Sequence, residues 1–253
     1  MKGSVVAAIV AVLVGGCGST TDEPAVLPTD GVELVAAYQV RGGFAPSASL
    51  ALQAPTVLVY SDGQVVSGAS RVLRLARQEL TRLVQDLRRA LAGLDSSLIS
   101  PRARHVLDAP DEMLTVRRDD GSSQSVDAYA LGIVDDYPPG LREAAARFDR
   151  LADRADKSGA AFTSDRVRLV LSPPSQVTGE VPPWPAGLEE PPAGELSLRT
   201  ADLDGDAARR VVATLPADIW RTGGTWPRYR LRDGSVHGAA WRYLAPGENS
   251  LPR

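Results

Sequence analysis

Three Asp-Gly pairs, Asp62-Gly63, Asp120-Gly121 and Asp233-Gly234, each sit between apolar runs. An Asp-Gly pair in that setting is a strong short-range signal for an antiparallel hairpin, because glycine accepts the left-handed backbone that tight turns require. The first pair interrupts an apolar stretch over 55–66 and the second divides 113–131 into two strands. At the second pair, a two-residue turn would set Val116 against Ser125 and mix core with solvent positions. A three-residue loop with a bulge aligns Val116 with Val126 and Leu114 with Ala128. For the third pair a two-residue turn sets Arg230 against His237, Arg228 against Ala239 and Trp226 against Trp241. One face of that hairpin then carries Trp226, Arg228, Arg230, His237 and Trp241, and the other carries Tyr229, Leu231, Val236 and Ala240.

Further strands are expected over 32–39, 167–171 and 195–199. Helices are expected over 70–94, 141–155 and 206–215, where apolar residues recur at three and four positions. The first helix has an arginine-rich back, read as a solvated face. A segment over 173–194 carries seven prolines and Trp184, which excludes a helix and favours an extended path. The order predicts an α+β fold, antiparallel sheets with packed helices, in two loosely similar units over 32–158 and 163–249.

The amino terminus adds an address. Lys2 precedes about ten apolar residues that close on Val14-Gly15-Gly16-Cys17, a run too short to span a bilayer but built like a secretory signal. Val14-Gly15-Gly16-Cys17 resembles a lipobox. That resemblance implies a signal peptide over 1–16, cleavage before Cys17, acylation of its sulfur with diacylglycerol and palmitate-like chains, and a polar tether over 17–31. Cys17 is the only cysteine of the 253 residues, so no disulfide or thiolate site is expected beyond it. Without Lys2, 27 basic residues face 31 acidic ones, which argues against nucleic-acid binding. Lys157 is the only remaining lysine, a bias that reads as a GC-rich, actinobacterial source.

Catalytic signatures are sparse. There is no Gly-x-Ser-x-Gly elbow, no Ser-x-x-Lys, no His-Glu-x-x-His and no phosphate loop, and only His105 and His237 offer imidazole. Asp202, Asp204 and Asp206 alternate like the opening of a calcium loop, but Ala207 and Ala213 stand where glycine and glutamate are needed. A helix N-cap at Asp204 or Asp206 is the plainer reading. No metal or cofactor is predicted. Two surfaces stand out for binding: the Arg41-Gly42-Gly43-Phe44 bulge, and the arginine/tryptophan hairpin face, suited to an acidic peptide or anionic polymer.

The lipobox, Tyr38-Gln39-Val40-Arg41-Gly42-Gly43-Phe44, Val126-Asp127-Ala128-Tyr129-Ala130-Leu131-Gly132 and Trp241-Arg242-Tyr243-Leu244-Ala245-Pro246-Gly247-Glu248 together resemble an actinobacterial lipoprotein family without established activity. Members of that family tend to carry proline where Tyr243 stands. The stretch 33–155 is similar in motif and element order to emfourin, a proteinaceous inhibitor of metallopeptidases. The expected function is a membrane-anchored, extracytoplasmic, non-catalytic binding or accessory module of the cell envelope, with an envelope protein or peptidase as partner. The alternatives are a peptidase inhibitor, entering a cleft through the segment around Trp184, and a hydrolase of envelope polymers using a carboxylate pair.

Overall fold

A computed structural model describes residues 31–176, 179–194, 197–217 and 225–251. The signal peptide expected over 1–16, the acylation expected at Cys17 and all of the expected tether except residue 31 lie outside the described residues. The elements are β1 (Leu34–Gly42), α1 (Ser47–Leu52), β2 (Val57–Tyr60), β3 (Gln64–Ser67), β4 (Arg71–Arg74), α2 (Arg77–Leu91), β5 (Ser97–Leu98), β6 (Pro110–Arg117), β7 (Ser123–Tyr129), α3 (Pro139–Ser158), β8 (Ala160–Ala161), β9 (Arg166–Leu171), β10 (Arg199–Asp204), α4 (Gly205–Thr214), β11 (Arg228–Arg230) and β12 (Val236–Tyr243). They form an eight-stranded sheet in the order β5-β7-β6-β1-β2-β3-β4-β8 and a four-stranded sheet in the order β10-β9-β12-β11. All pairings are antiparallel except β5 with β7. The fold is therefore α+β.

The apolar stripes dictate the layers. Leu80, Val84, Leu87 and Leu91 of α2 and Leu141, Ala144, Phe148 and Ala155 of α3 are buried, most of them in one cluster with Val57, Val59, Leu114, Val116 and Val126 on one face of the large sheet. Tyr38 stacks on Phe148 with ring centroids 5.4 Å apart. Glu79 in the first turn of α2 and Arg88 and Arg89 in its last suit the helix dipole. This helix starts later than its periodicity predicts. Residues 71–74 form β4 instead, because the turn at Gly68, Ala69 and Ser70 folds the chain back on β3, and Val72 and Leu73 then pack on opposite faces.

The second unit resembles the first only loosely. The strand expected over 195–199 meets β10 only at Arg199; 195 and 196 fall outside the described residues, and Ser197 and Leu198 are not strand. On one face, Ala208 and Val211 of α4 pack with Leu169, Leu171, Ala239 and Trp241; on the other, Ala48 and Leu52 of α1 pack with Val170 and Ala240. The prolines around Trp184 extend the β11 edge, where Pro182 accepts from the Arg230 amide and the Trp184 amide donates to Arg230. Trp184 itself is buried and packs edge-on to Tyr229 at 5.6 Å. Trp184 is thus a core residue, while Pro182, Pro183, Ala186, Gly187 and Glu189 around it stay exposed.

The chain then returns. Ala245 and Leu251 join Ala37, Leu58, Tyr60, Val66 and Phe162 on the second face of the large sheet, and the Tyr60 hydroxyl donates to the Pro246 carbonyl at 2.8 Å. A buried ion pair fixes this return: Arg242 and Glu248 are each 8 % exposed. All five guanidinium N–H groups are engaged, with Leu52 O, Gln53 O, Tyr243 O and the two Glu248 oxygens. The cation thereby caps the carbonyl end of α1 while its charge is neutralised by the carboxy-terminal segment.

Candidate functional site

β1 ends in two consecutive left-handed glycines, Gly42 at φ +71° and Gly43 at φ +81°. Gly43 lies against the next loop, where an added Cβ would come within 3.7 Å of Asp108 O and Pro110 N. The reversal leaves Phe44 94 % exposed. Arg41 stays within the sheet and its guanidinium meets Asp127 at 2.5 Å. Of the four predicted bulge residues, the glycines make the turn, Arg41 is tied to the sheet, and Phe44 is presented.

Topology places more apolar groups beside it. β1 and β7 end, β6 begins, and β5 runs parallel to β7, so the loops after β1, β5 and β7 all emerge at one end of the large sheet. Those loops carry Phe44, Ile99 (56 % exposed), Leu107 (86 %) and Ile133 (59 %), four of the five exposed large apolar residues among the described residues. The fifth, Val32, lies at the opposite end, just before β1 begins. Scattered exposed leucines need no explanation, but convergence on one sheet end makes this end the candidate contact surface.

The loops that carry Ile99, Leu107 and Ile133 are tied from beneath. Ser100 Oγ donates to Asp136 Oδ1 at 2.6 Å and accepts from the Ala103 amide; Tyr137 OH donates to Tyr129 O at 2.5 Å. Tyr129 OH accepts from the Ala109 amide and donates to Val106 O. Buried Glu112 accepts from the Gly132 amide at 2.6 Å and from Tyr38 OH at 2.5 Å. Burial, then the hydrogen bond and charge of Glu112, push the Tyr38 phenol above its ordinary range, so it remains a donor at neutral pH. The Ser100 hydrogen bond holds the Asp136 carboxyl below its usual value. A stiff scaffold beneath exposed tips keeps small the entropy lost on docking.

The hairpin face is not assembled as predicted. Leu231 N bonds Ser235 O, so the loop is the three residues Arg232-Asp233-Gly234, and Tyr229 pairs with His237 and Arg228 with Gly238. One residue of register swaps the faces. His237 and Trp241 are buried with Leu231 and Ala239, whereas Arg228 and Arg230 are exposed on the other face and Trp226 packs partly against Ala48 and Ala240. Trp241 Nε1 donates to Leu215 O at 2.8 Å.

Two arrangements resemble catalytic ones. Ser235 Oγ lies 2.8 Å from His237 Nε2, a nucleophile–base spacing. However, the same hydroxyl is 2.5 Å from Asp233 Oδ1, whose carboxyl these Ser235 bonds hold low, so the hydroxyl proton belongs to the ionised aspartate. His237 Nδ1 is committed to Ser172 O at 2.6 Å, making the histidine a structural tie. Asp111 and Asp127 flank Arg41; burial, then the Asp127 charge, raise the Asp111 carboxyl against the pull of Arg41. Neither aspartate lines the clefts of about 510 and 680 Å³ on either side of α1. Asp202 is bound bidentately by Arg168, both contacts 2.8 Å, and no cluster of metal-ligating side chains occurs among the described residues.

Ile99, Leu107 and Ile133 escaped sequence reasoning because the short apolar pairs Leu98-Ile99, Val106-Leu107 and Ile133-Val134 in polar loops carry no periodicity. Their signal was the repeated placement of such a pair beside Ser, Asp or Gly. No family model, curated protein or solved structure matches the chain.

Proposed function

We propose that the chain is a lipid-anchored, extracytoplasmic module that binds a protein of the cell envelope through the Phe44–Ile99–Leu107–Ile133 end of its large sheet and catalyses no reaction itself. The observation that carries this reading is the convergence of four exposed apolar residues on loops at the end opposite Val32. The nine residues of β1 span roughly 30 Å. A lipid on Cys17 would hold the near end at the bilayer and direct the apolar end outward, toward a partner. The resemblance to an actinobacterial lipoprotein family agrees with the anchoring, and Phe44, projecting between Gly43 and Pro46, also suits a peptidase inhibitor acting through the same surface.

The test is a photo-crosslinking amino acid placed at Phe44 or at Val32 of the full chain in producing cells. One discrete protein adduct is expected from position 44, absent from position 32 and abolished by Leu107→Asp with Ile133→Asp. Lipid adducts from position 44, or equal protein adducts from both positions, would overturn the reading. Cys17→Ala should release the chain from the membrane fraction.

A further inference from the structure

A second feature stands independently of that contact surface. Between α1, the β3–β4 turn and β12 lies a cleft of about 510 Å³, within the range of small-molecule sites. Phe162, Tyr243 and Trp241 form one continuous wall, with successive ring centroids 6.2 and 5.1 Å apart, and Leu50 faces the cleft from α1. The lining's one charged side chain, Arg242, has every donor engaged and its charge matched by Glu248. The Trp241 indole N–H is likewise spent on Leu215 O. The wall therefore offers ring surface whose polar group is the neutral Tyr243 hydroxyl, and a charged ligand would find no counter-charge while losing its hydration. Gln53 and Ser70, uncharged and exposed, stand at the open side. The cleft is lined by rings and small neutral side chains, Ser49 and Thr56 among them, and is polar but neutral at its mouth.

We propose that this cleft holds the acyl chain of an uncharged glyceride, with the chain against the aromatic wall and the ester beside Gln53 and Ser70. Each methylene removed from water contributes about 0.8 kcal/mol, and the neutral mouth hydrates or hydrogen-bonds the glycerol end at little cost. The occupant is a separate lipid molecule. The chain's own anchor would enter from Val32, at the far end of β1, and would have to leave the bilayer.

The test uses the full chain carrying Cys17→Ser and the probe 1-(9,10-dibromostearoyl)glycerol below its aggregation concentration, since bromine quenches tryptophan on contact. Saturable quenching at one probe per chain is expected. Trp241→Phe should remove most of its amplitude, and Ala54→Phe, which narrows the cleft, should weaken binding at least tenfold. Ser49→Leu serves the same purpose should Ala54→Phe prove unfolded by circular dichroism. Unsaturable quenching, or quenching indifferent to a folded cleft variant, would overturn the proposal. Equal affinity for dibromostearate would overturn the neutral-ligand assignment. The lipidated chain should bind the probe as well as Cys17→Ser does; refusal would assign the cleft to its own anchor instead.

Discussion

Arg242 and Glu248 show what single residues do in this molecule. Two charges leave water here only because the geometry satisfies all five guanidinium donors. Glu248→Ala would strand a buried cation and is expected to cost about 3–5 kcal/mol in urea unfolding, whereas Arg242→Met with Glu248→Leu should recover part of that loss. Asp111 acts in the opposite sense. Its carboxyl is raised by burial and by Asp127, so the native state binds its proton more tightly than the unfolded chain, whose carboxyl titrates near 3.9. Stability from this group is full below that value and falls as pH rises through the native one. Asp111→Asn should therefore raise the melting temperature at pH 7, with the gain shrinking toward pH 3.5. Neither role was legible in the sequence: Leu52 precedes Arg242 by 190 positions, and the residues flanking Asp111 in the chain do not include Asp127.

The three Asp-Gly hairpins share one solution. Each closes with a three-residue loop whose glycine has φ between +84° and +87° and donates to the carbonyl three residues back, Tyr60, Arg118 or Leu231. In each, the aspartate Oδ1 accepts the amide two residues on, from Gln64, Ser122 or Ser235, at 2.8 to 2.9 Å. The existence of the hairpins was legible, and so was the loop length at Asp120-Gly121. Registers were not, because Asp-Gly identifies the left-handed residue without saying how many residues precede it in the loop. Leu114 faces Val126, two positions from expectation, which keeps the faces; at Asp233-Gly234 the error is one position, which exchanges them. Asp120→Ala should be mildly destabilising, since it loses one exposed amide bond. Gly63→Ala should cost more than the about 1–2 kcal/mol of a left-handed alanine, because its Cβ would meet Leu75 O at 2.6 Å. Urea unfolding of the two variants side by side tests that ranking.

At the scale of the whole molecule, the two sheets exchange packing segments. The sequence divides near residue 160, and the sheets do too, yet α1 packs on the second sheet and the carboxy-terminal segment packs on the first. Such exchange is illegible in a linear reading because apolar residues near a terminus do not state which core they enter. The candidate surface was half legible for a related reason: Gly42-Gly43 announced a reversal, but only the sheet order brings Ile99, Leu107 and Ile133 to the same end as Phe44. Ending the chain after Tyr243 would remove Ala245, Glu248, Leu251 and the carbonyl acceptor of Tyr60 from a region more than 180 positions distant. Leu58 and Val66 would then face water and Arg242 would lose its counter-charge. Hydrogen exchange should therefore quicken in β2 and β3 as much as in β12, and the intact chain should unfold in a single transition. Exchange accelerated only in β9–β12, with β2 and β3 unchanged, would show two independent domains and refute the shared core.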